Sequence, residues 1–296
     1  MKRGRGAAMA AILFAIVAVA GPARGQSIPF ADTEDATLSE IDVKDEGRNW
    51  HPVVTLDIRN GDYARGALDD DDAALDRVPV HVAFGGALVL RRGRDGSGDL
   101  FVIGQSSNGL HAPRADERAA PRAWYESNNL LGLTWRPADG LTTAATYTIK
   151  TSPNGVASTT HEASLSILYT ADRGLGRLKP RAAITRRTQG EGGLYTIAGI
   201  SPSFTLSGRE EGPSLSVPVL VGVGWNGFYA EGSGTRVYGS GGLSIAYPIK
   251  LGGSAATLQA DILALVRDDR LRRLDAPGGT TAAVVPHATI SLMLAW

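Results

Sequence analysis

Segments of this chain repeatedly alternate apolar and polar residues with a period of two. That is the pattern of a strand whose two faces meet different surroundings. In Leu141–Thr151, Leu141, Ala145, Tyr147 and Ile149 share a face, while Thr142, Ala144, Thr146, Thr148 and Lys150 take the other. In the next segment Ala163, Leu165, Ile167 and Tyr169 oppose Glu162, Ser164, Ser166 and Thr170. Leu258, Ala260, Ile262, Ala264 and Val266 likewise oppose Gln259, Asp261 and Arg267. β-Branched and aromatic residues recur in these windows, which further disfavours helix.

Twelve such segments can be delimited. The first six are Val53–Arg59, Val78–Arg91, Asp99–Gln105, Trp124–Arg136, Leu141–Thr151 and Thr159–Thr170. The second six are Leu178–Thr188, Leu194–Ser207, Ser214–Asn226, Arg236–Ile249, Ala256–Asp268 and His287–Trp296. Most reach the ~9–11 residues that a tilted membrane-spanning strand needs. The first and third are the weakest, so ten strands is the alternative. The connections sort by parity. The three longest, Asn60–Arg77, Ser106–Ala123 and Asp269–Pro286, all follow odd-numbered strands. Those after even-numbered strands are short and turn-like, such as Pro137-Ala-Asp-Gly140 and Gly252-Gly253. Long loops on one rim and short turns on the other define a transmembrane antiparallel β-barrel, here of about twelve strands. A soluble sandwich has no reason to sort its loops this way.

The two ends of the sequence agree with that fold. Lys2, Arg3 and Arg5 precede the apolar run Ala7–Ala20, followed by the small-residue exits Ala18-x-Ala20 and Ala23-x-Gly25. This predicts a secretory signal peptide over residues 1–25, since the run is shorter than the roughly 20 residues of a spanning helix. Residues 26–50 form an acidic stretch, with Glu34, Asp35, Glu40, Asp42, Asp45 and Glu46, read as a solvated periplasmic extension. Residues 51–296 are the barrel. In the last segment Ala288, Ile290, Leu292, Leu294 and Trp296 lie on the outward face. This stretch resembles the C-terminal assembly signal of Gram-negative outer-membrane β-barrels, which implies delivery by the barrel assembly machinery to the outer membrane. In that signal Phe is the commoner last residue.

Composition narrows the chemistry. The sequence has equal numbers of Lys+Arg and Asp+Glu. Cleavage after Gly25 removes Lys2, Arg3, Arg5 and Arg24 and no acid, so the mature chain is net acidic and unsuited to general nucleic-acid binding. There is no Cys, which excludes thiol catalysis and thiolate metal sites. His51, His81, His111, His161 and His287 are dispersed, with no spacing that predicts a metal site. Asp69–Asp72 and Asp76 lack the spacing of a calcium loop and read as a solvated acidic loop, with divalent bridging to lipopolysaccharide phosphates the functional alternative. No cofactor is implied.

If the apolar faces meet lipid, the opposite phase lines the interior. Arg136, Lys150, Glu162, Lys179, Arg181, Arg187, Arg236, Asp261 and Arg267 are the pore-lining candidates, joined by Asp57, Arg59, Arg91 and Glu126. Cations outnumber acids in this set, which predicts a preference for anions. Lys179, Arg181 and Arg187 are expected on one face of Leu178–Thr188.

Two resemblances bear on function. Trp124-Tyr-Glu126, Tyr147 through Ser152-Pro-Asn-Gly155 to Thr160-His-Glu162, Ser216-Val-Pro218 and Ala246-Tyr-Pro248 are similar to porin-like outer-membrane proteins of Gram-negative bacteria. That implies a passive channel for small polar or anionic solutes, with outer-membrane lipid and lipopolysaccharide as surroundings and no enzymatic activity. A non-conducting structural or adhesin-like barrel is the main alternative. Ser106-Ser107-Asn108-Gly109 resembles the His-x-Ser-Asn-Gly motif of outer-membrane phospholipase A, which would make Ser107 a nucleophile. Gln105 stands where the general-base His belongs, and Gln cannot accept the proton. The catalytic set is therefore expected to be empty.

Overall fold

The computed structural model describes residues 48–69, 77–94, 97–113, 121–155, 157–189, 192–207, 212–230, 234–251, 254–274 and 280–295, together with 27–29, 40–42, 75 and 232. Twelve strands close into an antiparallel barrel. They are β1 (Trp50–Arg59), β2 (Val80–Arg91), β3 (Asp99–Leu110), β4 (Trp124–Ala138), β5 (Leu141–Thr151) and β6 (Thr160–Tyr169). They continue as β7 (Arg181–Gln189), β8 (Leu194–Ile200 and Ser203–Thr205) and β9 (Ser214–Ser216 and Val219–Gly224). The last are β10 (Arg236–Leu251), β11 (Ser254–Arg267) and β12 (Val284–Ala295). Closure is made by β12. It pairs with β11 from Val284↔Val266 to Ala295↔Ala255, and with β1 from Thr289↔Arg59 to Ala295↔Val53. Trp296, residues 1–25 read as a signal peptide, Asp70–Asp72 and Asp76 lie outside the described residues.

The two faces of the wall follow the sequence phase. Leu56, Phe84, Leu131, Leu133, Leu165, Ile184, Leu243, Ile262 and Ile290 are exposed on the outside. So large an apolar surface is unexplained on a soluble protein and is what a lipid-facing wall requires. Trp50, Trp135 and Tyr247 stand exposed near the turn rim, and Trp124 and Trp225 near the loop rim. Aromatic girdles at both edges match the two membrane interfaces. Inside, Thr142, Thr146, Thr148, Glu162, Ser164, Ser166 and Asp261 are buried.

Proline and turn chemistry explain the departures from the expected strand limits. Pro202 and Pro218 interrupt β8 and β9, because a proline cannot donate to the ladder. The expected strand Leu178–Thr188 starts instead at Arg181. A short 3₁₀ turn, Gly174–Leu178, ends at Lys179 in the left-handed region (φ 47°), and Pro180 follows. Lys179 therefore belongs to the turn rim and does not share a strand face with Arg181 and Arg187. Upstream of the barrel, Ser27–Pro29 pairs with Glu40–Asp42 as a two-stranded ribbon inside the acidic segment.

A closed barrel has no free edge for detergent to unzip, since every strand is paired on both sides. The unheated protein is expected to migrate faster than the boiled protein in denaturing gels. Identical migration would contradict the closure.

Candidate functional site at the loop rim

The first long loop turns back into the barrel mouth. Tyr63–Ala64 and Ala67–Leu68 pair as a tight hairpin, with Arg65 (φ 51°) and Gly66 (φ 81°) at its tip. Two positive φ values in succession are the type I′ geometry of a two-residue hairpin. A Cβ on Gly66 would stand 2.6 Å from Cγ of Tyr238, so glycine alone fits both the backbone and the space.

Three anchors hold the hairpin. The first is Arg65, whose Nη1 and Nη2 donate to the two Glu162 oxygens at 2.8 and 2.6 Å. Both groups are buried, and a bidentate guanidinium–carboxylate pair is the strongest form of such a contact. Arg187 Nε, at 3.3 Å, and Lys150 Nζ, at 3.9 Å, face the same carboxylate. The Arg65 guanidinium also lies 4.9 Å from the Tyr195 ring and 5.1 Å from the Phe228 ring. Tyr229 Oη donates to the Arg65 carbonyl at 2.7 Å, and Tyr195 and Tyr238 share a 2.5 Å hydroxyl contact.

The second anchor is Asp62. Its Oδ1 accepts from Arg59 Nη1 at 3.4 Å, and its Oδ2 accepts from Tyr125 Oη at 2.6 Å. The same hydroxyl lies 2.6 Å from His81 Nε2, while His81 Nδ1 is 3.7 Å from Glu126 Oε2. A bulge puts Tyr125 there. Leu110 pairs with Trp124 and Gly109 with Glu126, so Tyr125 is the extra residue and its buried side chain reaches Asp62 and His81 inside the mouth. His111 stacks on its ring at 4.7 Å, and a Cβ on Gly109 would meet that ring at 2.6 Å. The third anchor is Arg267, which donates to the Gly66, Thr280 and Ala282 carbonyls and sits 5.1 Å over the Tyr63 ring. Leu271, on a short helix α1 (Asp269–Leu274), packs into the same cluster as Tyr63, Tyr195, Phe228 and Tyr238.

Asp62, His81 and Glu126 offer ligand atoms within 4.8 Å of one another. The imidazole, however, turns a different nitrogen to each carboxylate, and the Tyr125 hydroxyl already bridges Nε2 and Asp62. The group is a hydrogen-bonded chain, Asp62–Tyr125–His81, with the Glu126 carboxylate as an acidic neighbour 3.7 Å from the far side of the imidazole, rather than a cation cage. Burial alone would raise the Asp62 carboxyl, but His81, Arg59 and Tyr125 hold it well below the usual carboxylate range. A group with a lowered docked-state pKa stabilises the docked loop above its free value of 3.8 and loses that contribution only as pH falls through the lowered value. Protease protection of the loop should thus be the same at pH 7 and pH 5, and fall off only in stronger acid. Loss of protection already at pH 5 would assign the docking to other groups. Tyr229, in the loop after β9, is raised by burial and by Tyr195, so its hydroxyl stays protonated and donating.

The expected interior residues divide between this site and the rest of the wall. Glu162 and Arg267 bond the loop, and Lys150 and Arg187 face the Glu162 carboxylate beside it. Arg236, also at this rim, donates to the Thr235 carbonyl. Asp261 lies mid-wall and accepts from Gln259 at 3.0 Å. Arg136 stands near the turn rim, 3.7 Å from Asp99 and 5.0 Å over the Phe101 ring. Arg181 opens β7 there, half-buried. Ser107 faces the interior and is buried, so it is not presented to a lipid ester at the outer wall. Periodicity could not find Asp62, Arg65 or Phe228, because loop residues have no phase.

No family model matches the chain, and no curated protein matches it. Among solved structures it is similar to LpxR from Salmonella typhimurium, at 10% identity over 81% of this chain and 99% of that one, with a TM-score of 0.42. It is also similar to a bacterial polysaccharide outer membrane secretin (11%, 84% and 98%, 0.44) and to a Pseudomonas aeruginosa FadL homologue (10%, 84% and 90%, 0.38). Likeness at this level says nothing about activity. The strand pairing and the lipid-facing belt define the protein as a transmembrane β-barrel of the outer-membrane type. Its particular feature is a mouth filled by its own first loop.

Proposed function

We propose that the barrel is an exported outer-membrane channel for small polar and anionic solutes, closed at rest by its first loop and carrying out no covalent chemistry. The observation that carries this reading is the inner wall below the loop. Thr55, Asp57, Gln259, Thr289 and Ser291 line it with polar side chains that are only partly buried. Arg181 adds a cation near the inner rim. Charged groups at a constriction set ion preference. A non-conducting structural barrel is favoured by the tight packing of Arg65, Tyr195, Phe228 and Tyr238 in the mouth.

Planar-bilayer recording separates the two. The channel reading expects brief openings in wild type and an anion-selective reversal potential in a salt gradient. Arg181→Glu should move that potential toward cation selectivity, more strongly at low salt where screening is weaker. No steps under any condition, including with the loop anchor removed, would favour the structural barrel.

A further inference from the structure

On the outer wall, a shallow hollow of about 670 Å³ crosses β8 to β3. Its path is oblique. Leu194, Arg186, Ala163, Tyr147 and Leu131 are successive register partners from β8 to β4. Leu194 opens β8 at the loop rim, whereas Leu131 lies in the middle of β4. The row therefore starts at headgroup level and descends into the hydrocarbon zone. The outward alanines Ala145 and Ala163 form its floor, between the exposed side chains of Leu133, Leu165 and Ile184.

The upper end is polar. Arg186 is exposed, faces outward, and has no ion-pair partner among the described residues. Close by, Tyr147 Oη contacts His161 Nδ1 at 2.9 Å and accepts from Thr188 at 3.3 Å. A cation on a lipid-facing wall is costly at the midplane and less so near the interface, and an anion beside it offsets part of that cost. A guanidinium suits a phosphate oxygen pair.

We infer that this hollow binds a phosphorylated acyl lipid of the outer leaflet, its phosphate on Arg186 and an acyl chain along the Ala145–Ala163 floor. The site is independent of whether the barrel conducts. The test titrates the folded full chain in detergent with lipid A carrying both phosphates and with the same lipid dephosphorylated, read by native mass spectrometry. Arg186→Gln is expected to weaken binding of the phosphorylated form about tenfold, the scale of one charge-assisted hydrogen bond, and to leave the dephosphorylated form unchanged. Ala163→Leu fills the floor and should weaken both forms. Ala145→Leu makes the same test if the first variant loses its heat-modifiable migration. Undiminished phosphorylated-lipid binding by Arg186→Gln, or undiminished binding of both forms by a folded floor variant, would reduce the hollow to ordinary annular contact and overturn the site.

Discussion

Arg65→Ala is expected to turn a mostly closed barrel into one that passes sustained current. Arg65 is the hairpin's main tether: two short bonds to Glu162, two aromatic faces beside its guanidinium, and a carbonyl bonded by Tyr229. It also holds an unfavourable left-handed backbone, which persists only while the surrounding contacts impose it. Removing one partner of a buried ion pair costs about 3–5 kcal/mol when the other is left uncompensated. Here Arg187 and Lys150 still face Glu162, so the wall should remain intact and the loss should fall on the loop. Glu162→Gln is the harsher change, because it leaves three cations crowded around a neutral amide. Conductance of both variants, with heat-modifiable migration as the check on folding, decides the matter. An assembled Arg65→Ala barrel as quiet as wild type, with its loop still protected from protease, would show that the plug does not depend on this anchor.

The wall and the mouth were not equally legible in the sequence. Strand phase is written locally. Lys150, Glu162, Arg187 and Arg267 have inward phase because each alternates with lipid-facing neighbours, and a one-residue error would have turned whole strands inside out. Loop parity added a second, independent signal. Phase fails wherever a strand bends or ends. Tyr125 turns inward through a bulge, and Lys179 leaves the β7 face because Pro180 and a left-handed residue delay the strand. The plug was out of reach for a different reason. Asp62 and Arg65 meet partners far along the chain, at Tyr125 and Glu162, through a loop whose residues carry no period. Turn dipeptides such as Asn60-Gly61 and Arg65-Gly66 mark places where the loop can bend, and nothing in them says that it bends into a barrel rather than into solvent.

Removal of Leu292–Trp296 is expected to abolish assembly altogether. The described part of this segment supplies the pairs Leu292↔Leu56, Met293↔Thr55, Leu294↔Val54 and Ala295↔Val53 on one side. On the other it supplies Leu292↔Leu258, Met293↔Thr257, Leu294↔Ala256 and Ala295↔Ala255. Without it, β1 and β11 each expose four residues of unpaired backbone at the turn-rim end of the wall. In hydrocarbon every unpaired peptide group costs several kcal/mol, so the loss is far larger than that of any side chain discussed above. Met293 also packs inside against the cluster of Val53, Ala87, Phe101, Ile103 and Leu130, so the inner wall loses a contact at the same place. The truncated chain should be absent from the outer membrane and be degraded or retained in the periplasm, as fractionation and immunoblotting would show. A milder companion, Leu294→Asp, keeps the backbone pairs and puts a charge on the outward face. It should lower membrane levels without eliminating them, because charge on the lipid face is penalised less near an interface than at the midplane. Normal levels of the truncated protein would mean that β1 and β11 can close the barrel without β12's last pairs, and the closure described by the register would then be wrong.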